Sequence, residues 1–291
     1  MIQYDFDWVA AFSDQAFGGN GCMVVHNCTD LDLATRLKIV QETSLVECIF
    51  VEPSEVADVR FRIYLASREI PFAGHPTLAG VASLLHRGLV NGKRLTVETQ
   101  AGLIPIQVGE NGHIIMTQIA PVFGPVVEAQ LVADALSLSV DDIIHPPQVV
   151  STGLPFTVAV VRDHDALKRA VLRPDQLLKL QAKIDMPDTD VMEPFLVTLS
   201  GATSTGDTYA RLLLAPPMPA EDPFTGSATG AMASYIWANG LIKKPSFIAE
   251  QGHSLGRPGQ AMVTVLGPLQ TISRVRIAGQ AHITMSEKLN L

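Results

Sequence analysis

Two stretches of this chain repeat one pattern, and that repeat constrains the fold more than any other feature. Pro71-Phe72-Ala73-Gly74-His75-Pro76-Thr77-Leu78-Ala79-Gly80 resembles Pro223-Phe224-Thr225-Gly226-Ser227-Ala228-Thr229-Gly230-Ala231-Met232. Extended without gaps to Gly88-Leu89-Val90 and Gly240-Leu241-Ile242, the two agree at 7 of 20 positions. Residue frequencies of about 5–10% would give one or two agreements, so the match is a duplication signal. The flanks are alike as well. Val59-Arg60-Phe61-Arg62-Ile63-Tyr64-Leu65-Ala66 precedes the first copy and Tyr209-Ala210-Arg211-Leu212-Leu213-Leu214-Ala215 the second, both reading as strands that carry an Arg. Another β-rich run follows each copy, Arg94–Thr99 and Phe247–Glu250, with a glycine close behind.

The repeated unit is therefore strand, glycine turn, helix, strand. The helices are expected at about Pro76–Leu85 and Ala228–Trp237, with Gly88 and Gly240 where a C-terminal stop belongs. Both are apolar on most faces, which predicts that each is a central helix wrapped by a curved sheet. A chain of 291 residues is about twice the usual domain size. The expected organisation is an α/β (α+β) protein of two pseudo-symmetric domains, 1–118 and 119–291, each a bent, mostly antiparallel sheet around one helix. The last strand is allowed to return to the first domain. Ile119-Ala120-Pro121-Val122-Phe123-Gly124-Pro125 is the expected linker.

Composition narrows the function. Hydrophobic residues make up 47% and charged residues 17%, enough apolar material for two cores. A net charge of -8, with no cluster of Lys and Arg, argues against nucleic-acid binding. Apolar runs are interrupted well short of the ~20 residues of a membrane span, and the N-terminus lacks the form of a signal peptide, so the expected address is the cytoplasm. Cys22, Cys28 and Cys48 have no zinc-ligand spacing and the eight histidines form no cluster, so no metal is expected. The glycine signatures of nucleotide cofactors are absent, and no cofactor is expected.

Candidate chemistry lies at the repeats. Gly74 and Gly226 each precede a helix start, with Pro76 suited to a first helical turn. Two helix N-termini make an anion clamp suited to a small carboxylate; the alternative is two ordinary capped helices with Ser227 an N-cap. His75 and Ser227 hold corresponding positions, and Asp222 lies at the approach to the second helix. Titratable groups there are placed where dipole and burial tune them, although a core His bonded to a carbonyl and a solvated Asp are the plain alternatives. Glu47 sits in Ser44-Leu45-Val46-Glu47-Cys48-Ile49-Phe50-Val51, which reads as a buried strand or else a sheet edge. A buried carboxylate is costly unless paired or protonated, and enzymes use that to tune a Glu for acid–base work.

Six segments together resemble the phenazine-biosynthesis (PhzF-like) family, in the family's order. They are Phe17-Gly18-Gly19-Asn20-Gly21, Glu47-Cys48-Ile49-Phe50, Glu69–Thr77, Ser151-Thr152-Gly153-Leu154-Pro155, Glu221–Ala228 and Gln251-Gly252-His253-Ser254-Leu255-Gly256-Arg257-Pro258. The resemblance implies the diaminopimelate-epimerase fold, with an active site in the cleft between two similar domains, and a homodimer. It also implies a cofactor-independent isomerase: Glu47 would shuttle a proton between carbons of a small carboxylate, with His75, Asp222 and Ser227 orienting or assisting, and Asn20, Gly74 and Gly226 binding substrate. Racemases of the wider superfamily use two cysteines, for which this chain has Ala73 and Thr225, so one-carboxylate proton relocation is expected over two-thiol inversion. Ile63-Tyr64-Leu65-Ala66 and Gly21 depart from common family residues and bear on substrate choice. Two rivals remain: an amino-acid epimerase recruiting Glu47 and Asp222, and a small-molecule binding protein without turnover.

Overall fold

A computed structural model describes residues 2–184, 186 and 191–291. In chain order the elements begin with β1 (Gln3–Ala11), β2 (Asn20–Val25), α1 (Leu33–Thr43), β3 (Cys48–Glu52), β4 (Val59–Tyr64), β5 (Glu69–Ile70) and α2 (Gly74–His86). There follow β6 (Arg94–Thr99), β7 (Gly102–Val108), β8 (Ile114–Gln118), β9 (Val122–Val126), α3 (Ala129–Ala135), β10 (Gln148–Ser151), β11 (Pro155–Val160), α4 (His164–Arg169) and α5 (Pro174–Lys183). The chain ends with β12 (Met192–Thr198), β13 (Thr208–Leu213), β14 (Glu221–Asp222), α6 (Gly226–Ala238), β15 (Ser246–Gln251), β16 (Gly259–Leu266), β17 (Arg274–Gly279) and β18 (Ala281–Asn290). Two compact units result, Met1–Met116 with Ala278–Leu291, and Thr117–Ile277. Among the described residues no helix is long and apolar enough to cross a membrane.

In the first unit β1 lies antiparallel between β18 and β2, β2 runs parallel to β3, and β3 antiparallel to β4. Strand β4 pairs antiparallel with β5 and parallel with β6, which continues antiparallel into β7 and β8. Helix α2 packs on β1, β2, β3, β4 and β18. The approach is close: a Cβ on Gly80 would lie 2.7 Å from the Phe61 ring and 3.1 Å from Ile49 Cδ1. Because side chains alternate along a strand, Cys48 and Phe50 point to the other face. There they join Met23, Val25 and Tyr64 in a core that α1 covers with Ile39 and Val40.

The second unit has the same order of pairings around β13. Strand β12 lies antiparallel to β13, which pairs antiparallel with β14 and parallel with β15, and β15 continues antiparallel into β16. Helix α6 packs on β10, β11, β12 and β16. Helices α3, α4 and α5 cover a second core built on Val149, Ala159, Leu196, Tyr209 and Leu213. The strand arginines of the two units do one job. Arg62 forks onto Glu69 through Nε and Nη2 at 2.8 and 2.5 Å, and Arg211 onto Glu221 at 3.0 and 2.6 Å. In each case the bidentate pair ties the central strand to the short one that leads into the helix.

Three local expectations need correction. The helices start two residues earlier than the prolines and alanines suggest, with Gly74 and Gly226 inside them and Ala73 and Thr225 at the N-caps. Ser227 is thus a first-turn residue rather than the N-cap, and Pro76 is accepted in that turn because its nitrogen needs no partner there. Glu47 precedes β3 rather than lying within it, and its side chain is 13% exposed. The Pro-rich linker contains a strand, β9, which pairs antiparallel with β10; Gln148 Nε2 donates to Gly124 O at 3.0 Å. Pro125 is tolerated there because it falls where the register shifts, between the Val126↔Gln148 and Phe123↔Val150 pairs.

Candidate active site

In the first unit, the turn after β1 delivers Asn20 to the start of β2. Gly19 makes that turn possible, since at φ +49° any Cβ would lie 2.0 Å from Ala11 O. Asn20 is 2% exposed and its Nδ2 stands 3.0 Å from His75 Nδ1. The same ring nitrogen lies 3.2 Å from Glu47 Oε2. Three residues far apart in sequence, from β2, from the entry to β3 and from the first turn of α2, therefore meet at one imidazole. Burial pushes His75 down to about 3, so at neutral pH the ring is uncharged and its contact with Glu47 is not an ion pair.

A neutral imidazole carries one N–H. With the proton on Nδ1, the ring donates to Glu47 and the Asn20 amide turns its oxygen inward; Nε2 is then a bare acceptor. With the proton on Nε2, Nδ1 accepts from Asn20. In both arrangements Nε2 is the atom left over, for among the described residues it is buried and without a hydrogen-bond partner. A buried unsatisfied nitrogen is costly, and a substrate oxygen or hydroxyl would satisfy it. Gly74, the residue before His75, opens α2 with no side-chain cap and no acidic residue in the first turn.

In the second unit α6 opens in the same way, with no side-chain cap at Thr225 and no acid in the first turn. Gly226 is buried and Ser227 half-buried. Their carbonyls are gripped from β8 and from the loop after β10: Gln118 Nε2 donates to Gly226 O at 2.9 Å, and Thr152 Oγ1 reaches Gln118 Oε1 at 2.7 Å and Ser227 O at 3.5 Å. Asp222 is 5% exposed and accepts from Thr225 Oγ1 at 2.5 Å. Sequence reasoning passed over Gln118 and Gln251 and read Thr225 only as a place without a cysteine. Thr225 and Gln251 stood inside the segments that carry the resemblance, and a polar residue in an otherwise apolar, tightly packed motif was the available signal.

The cysteines hold no comparable position. All three are buried and free; burial pushes Cys22 well above the ordinary thiol value and Cys48 up to about 12. They remain protonated thiols at neutral pH. Ala73 and Thr225, at the two N-caps, carry no thiol.

A shielded carboxylate against a neutral histidine, on a mixed α/β scaffold, is the equipment of an enzyme that moves protons, and relatives of the chain are isomerases. It is 29% identical over 261 residues to the uncharacterised isomerase YfhB of Bacillus subtilis, covering 87% of each chain. It is 29% identical over 279 residues to trans-2,3-dihydro-3-hydroxyanthranilate isomerase of Pseudomonas fluorescens, covering 93% of this chain and 94% of that one. Its structure matches that of a PhzF-family phenazine biosynthesis protein of Bacillus anthracis with a TM-score of 0.88 and 26% identity, over the whole of both chains. The chain is an isomerase by these likenesses. It belongs to the phenazine biosynthesis-like (PhzC-PhzF) family, whose profile matches residues 9–287.

Proposed function

We propose that this isomerase relocates a proton on a small, unsaturated carboxylate, with Glu47 as the proton carrier. The observation that carries the reading is the contact of Glu47 with a buried, neutral His75 whose Nε2 has no partner among the described residues. Glu47 as carboxylate takes a proton from one carbon. The C–H electron pair forms a new double bond to the neighbouring carbon, and the displaced pair of the old double bond takes the proton back from Glu47 at that bond's far carbon. Nothing is oxidised or reduced, so the step balances without a redox group. General acid–base catalysis of this kind contributes ~10²–10⁴ in rate.

In this reading His75, Asp222 and Ser227 orient the substrate or assist transfer. Asn20 and the helix starts at Gly74 and Gly226 bind it, the latter through main-chain N–H groups that favour an anion. The reading also takes the two units as copies of one ancestral unit, spanning 1–118 and 119–291 with the last strand returned to the first. A cytoplasmic homodimer completes it. The recurring Arg–Glu fork and the 13-residue helices α2 and α6 support the duplication.

The test is to incubate the protein and its Glu47→Gln variant in deuterated water with trans-2,3-dihydro-3-hydroxyanthranilate and a panel of unsaturated and amino carboxylates. Isomer formation with deuterium uptake, lowered at least ~10²-fold in the variant, is the expected result. Exchange at an α-carbon with loss of optical activity would instead make the chain an epimerase. Binding without conversion of any compound by either protein would overturn the isomerase reading in favour of a binding protein.

A further inference from the structure

Beside Asp222 the second unit contains a directed chain of hydrogen bonds. Gln251, 1% exposed at the end of β15, accepts at Oε1 from the Thr225 backbone N–H at 2.9 Å and donates from Nε2 to Asp222 O at 2.7 Å. A backbone donor on one side and a backbone acceptor on the other fix the amide's orientation, so there is no ambiguity of amide flip. Its Nε2 also reaches Thr225 Oγ1 at 3.2 Å. An NH₂ group only donates, and a hydroxyl has a single proton. Thr225 must therefore accept from Gln251 and donate to Asp222 Oδ2, at 2.5 Å. Gly252 locks the base of the chain: at φ +83° a Cβ would lie 2.4 Å from Arg257 O and 2.6 Å from Pro223 O.

The shared scaffold does not require these groups. The position matching Asp222 in the first unit is Ile70, because Ile63↔Ile70 on β4 and β5 corresponds to Leu212↔Asp222 on β13 and β14. Thr225 is the N-cap of α6 where Ala73 is the N-cap of α2. Gln251 follows the Tyr209↔Glu250 pair as Thr99 follows Arg60↔Glu98, and Thr99 spends its hydroxyl on Gly102 O at 3.1 Å. One unit forms the same strand–turn–helix with Ile, Ala and Thr. The other buries Asp, Thr and Gln, which is costly unless each has a partner.

We propose that Thr225 and Gln251 are positioning residues which hold the Asp222 carboxylate in one orientation, as an acceptor, for the substrate. The inference rests on Asp222 serving the isomerase reaction, and goes beyond it in assigning what aims that side chain. The Thr225 hydroxyl, at the N-cap of α6, serves the neighbouring carboxylate instead of the substrate.

The experiment uses the full chain labelled with ¹³C at aspartate carboxyl carbons, the Asp222 signal being the one lost in Asp222→Asn. Removing a hydrogen bond to the ionised form favours protonation, so in Thr225→Val, a near-isostere, the Asp222 titration midpoint moves to higher pH. Thr225→Ser returns it, and Gln251→Leu moves it in the same direction as Thr225→Val. With a turned-over carboxylate, Thr225→Val lowers kcat about tenfold with KM changed less than threefold, and Thr225→Ser restores kcat. A midpoint unmoved in both Thr225→Val and Gln251→Leu overturns the proposal, as does a moved midpoint with kcat unchanged. If the wild type converts no carboxylate while the midpoint still moves, the isomerase reading fails and the hydrogen-bonded chain stands.

Discussion

His75 touches Glu47 through Nδ1, at 3.2 Å from Oε2, while burial holds the ring neutral by pushing it down to about 3. The same burial makes the histidine a liability in acid. In the unfolded chain it takes a proton near pH 6.5, the ordinary value; in the folded chain it resists protonation until about 3. Between those limits the unfolded state binds more protons, so stability falls as the pH is lowered from about 6.5 towards 3 and is whole above that window. The slope is at most about 1.4 kcal/mol per pH unit for one such group. Melting temperatures from pH 8 to pH 4 are expected to fall less steeply in His75→Gln than in the wild type; parallel curves would contradict it.

A buried carboxylate on β1 makes the opposite demand, that its charge be kept. Asp7 on β1 is 0% exposed, held to about 2 by the hydrogen bonds of Arg87, Ser83 and Ser286 against the effect of burial. Arg87 at the end of α2 grips it from Nε and Nη2, both at 2.7 Å. Removing one partner of a buried pair leaves a charge without compensation, so Arg87→Leu is expected to cost about 3 kcal/mol in urea unfolding. Asp7→Asn combined with Arg87→Leu should cost less than the sum of the single changes. Because the folded Asp7 lies below its unfolded value, its contribution is present above about pH 4 and lost as the pH falls through 2. Additive single costs would mean that the pair is not coupled.

How far the sequence reached can be seen at these positions. The buried helices were legible because α2 and α6 are apolar on nearly every face, and the strands beside them because Val, Ile, Leu and Phe cluster between turn residues. Glu47 and His75 were each singled out, but their contact was not, since it depends on β2, β3 and the first turn of α2 coming together. The strand in Val122–Val126 was hidden by the prolines around it, which read as a linker; Pro125 is accommodated where the register of the β9–β10 pairing shifts. Asp7 drew no reading from the sequence, because only the fold brings Ser83 and Arg87 to it, from 76 and 80 positions further along the chain. Gln251 was lost inside a motif read for its glycines and charges, and Thr225 was read only for the cysteine it is not.

Gly230 gives the last prediction, and its sign is opposite to what helix propensity suggests. In a helix interior Gly→Ala normally stabilises by about 1 kcal/mol. Here a Cβ on Gly230 would fall 1.6 Å from Gln118 Oε1 and 3.0 Å from Thr152 Oγ1, so Gln118 must swing away and give up its bonds to Gly226 O and Thr152. Leaving buried donors and acceptors unmatched costs about 1–3 kcal/mol, which outweighs the gain. Gly230→Ala alone is therefore expected to be destabilised by about 1–2 kcal/mol in urea unfolding. In a Gln118→Ala background the severe contact is gone and only Thr152 Oγ1, at 3.0 Å, still faces the added methyl, so the same change should be close to neutral or stabilising. The coupling between the two positions is then at least about 1 kcal/mol. Equal effects of Gly230→Ala in both backgrounds would show that Gln118 does not rest on α6, and that the first turn carrying Gly226 and Ser227 is held by something else.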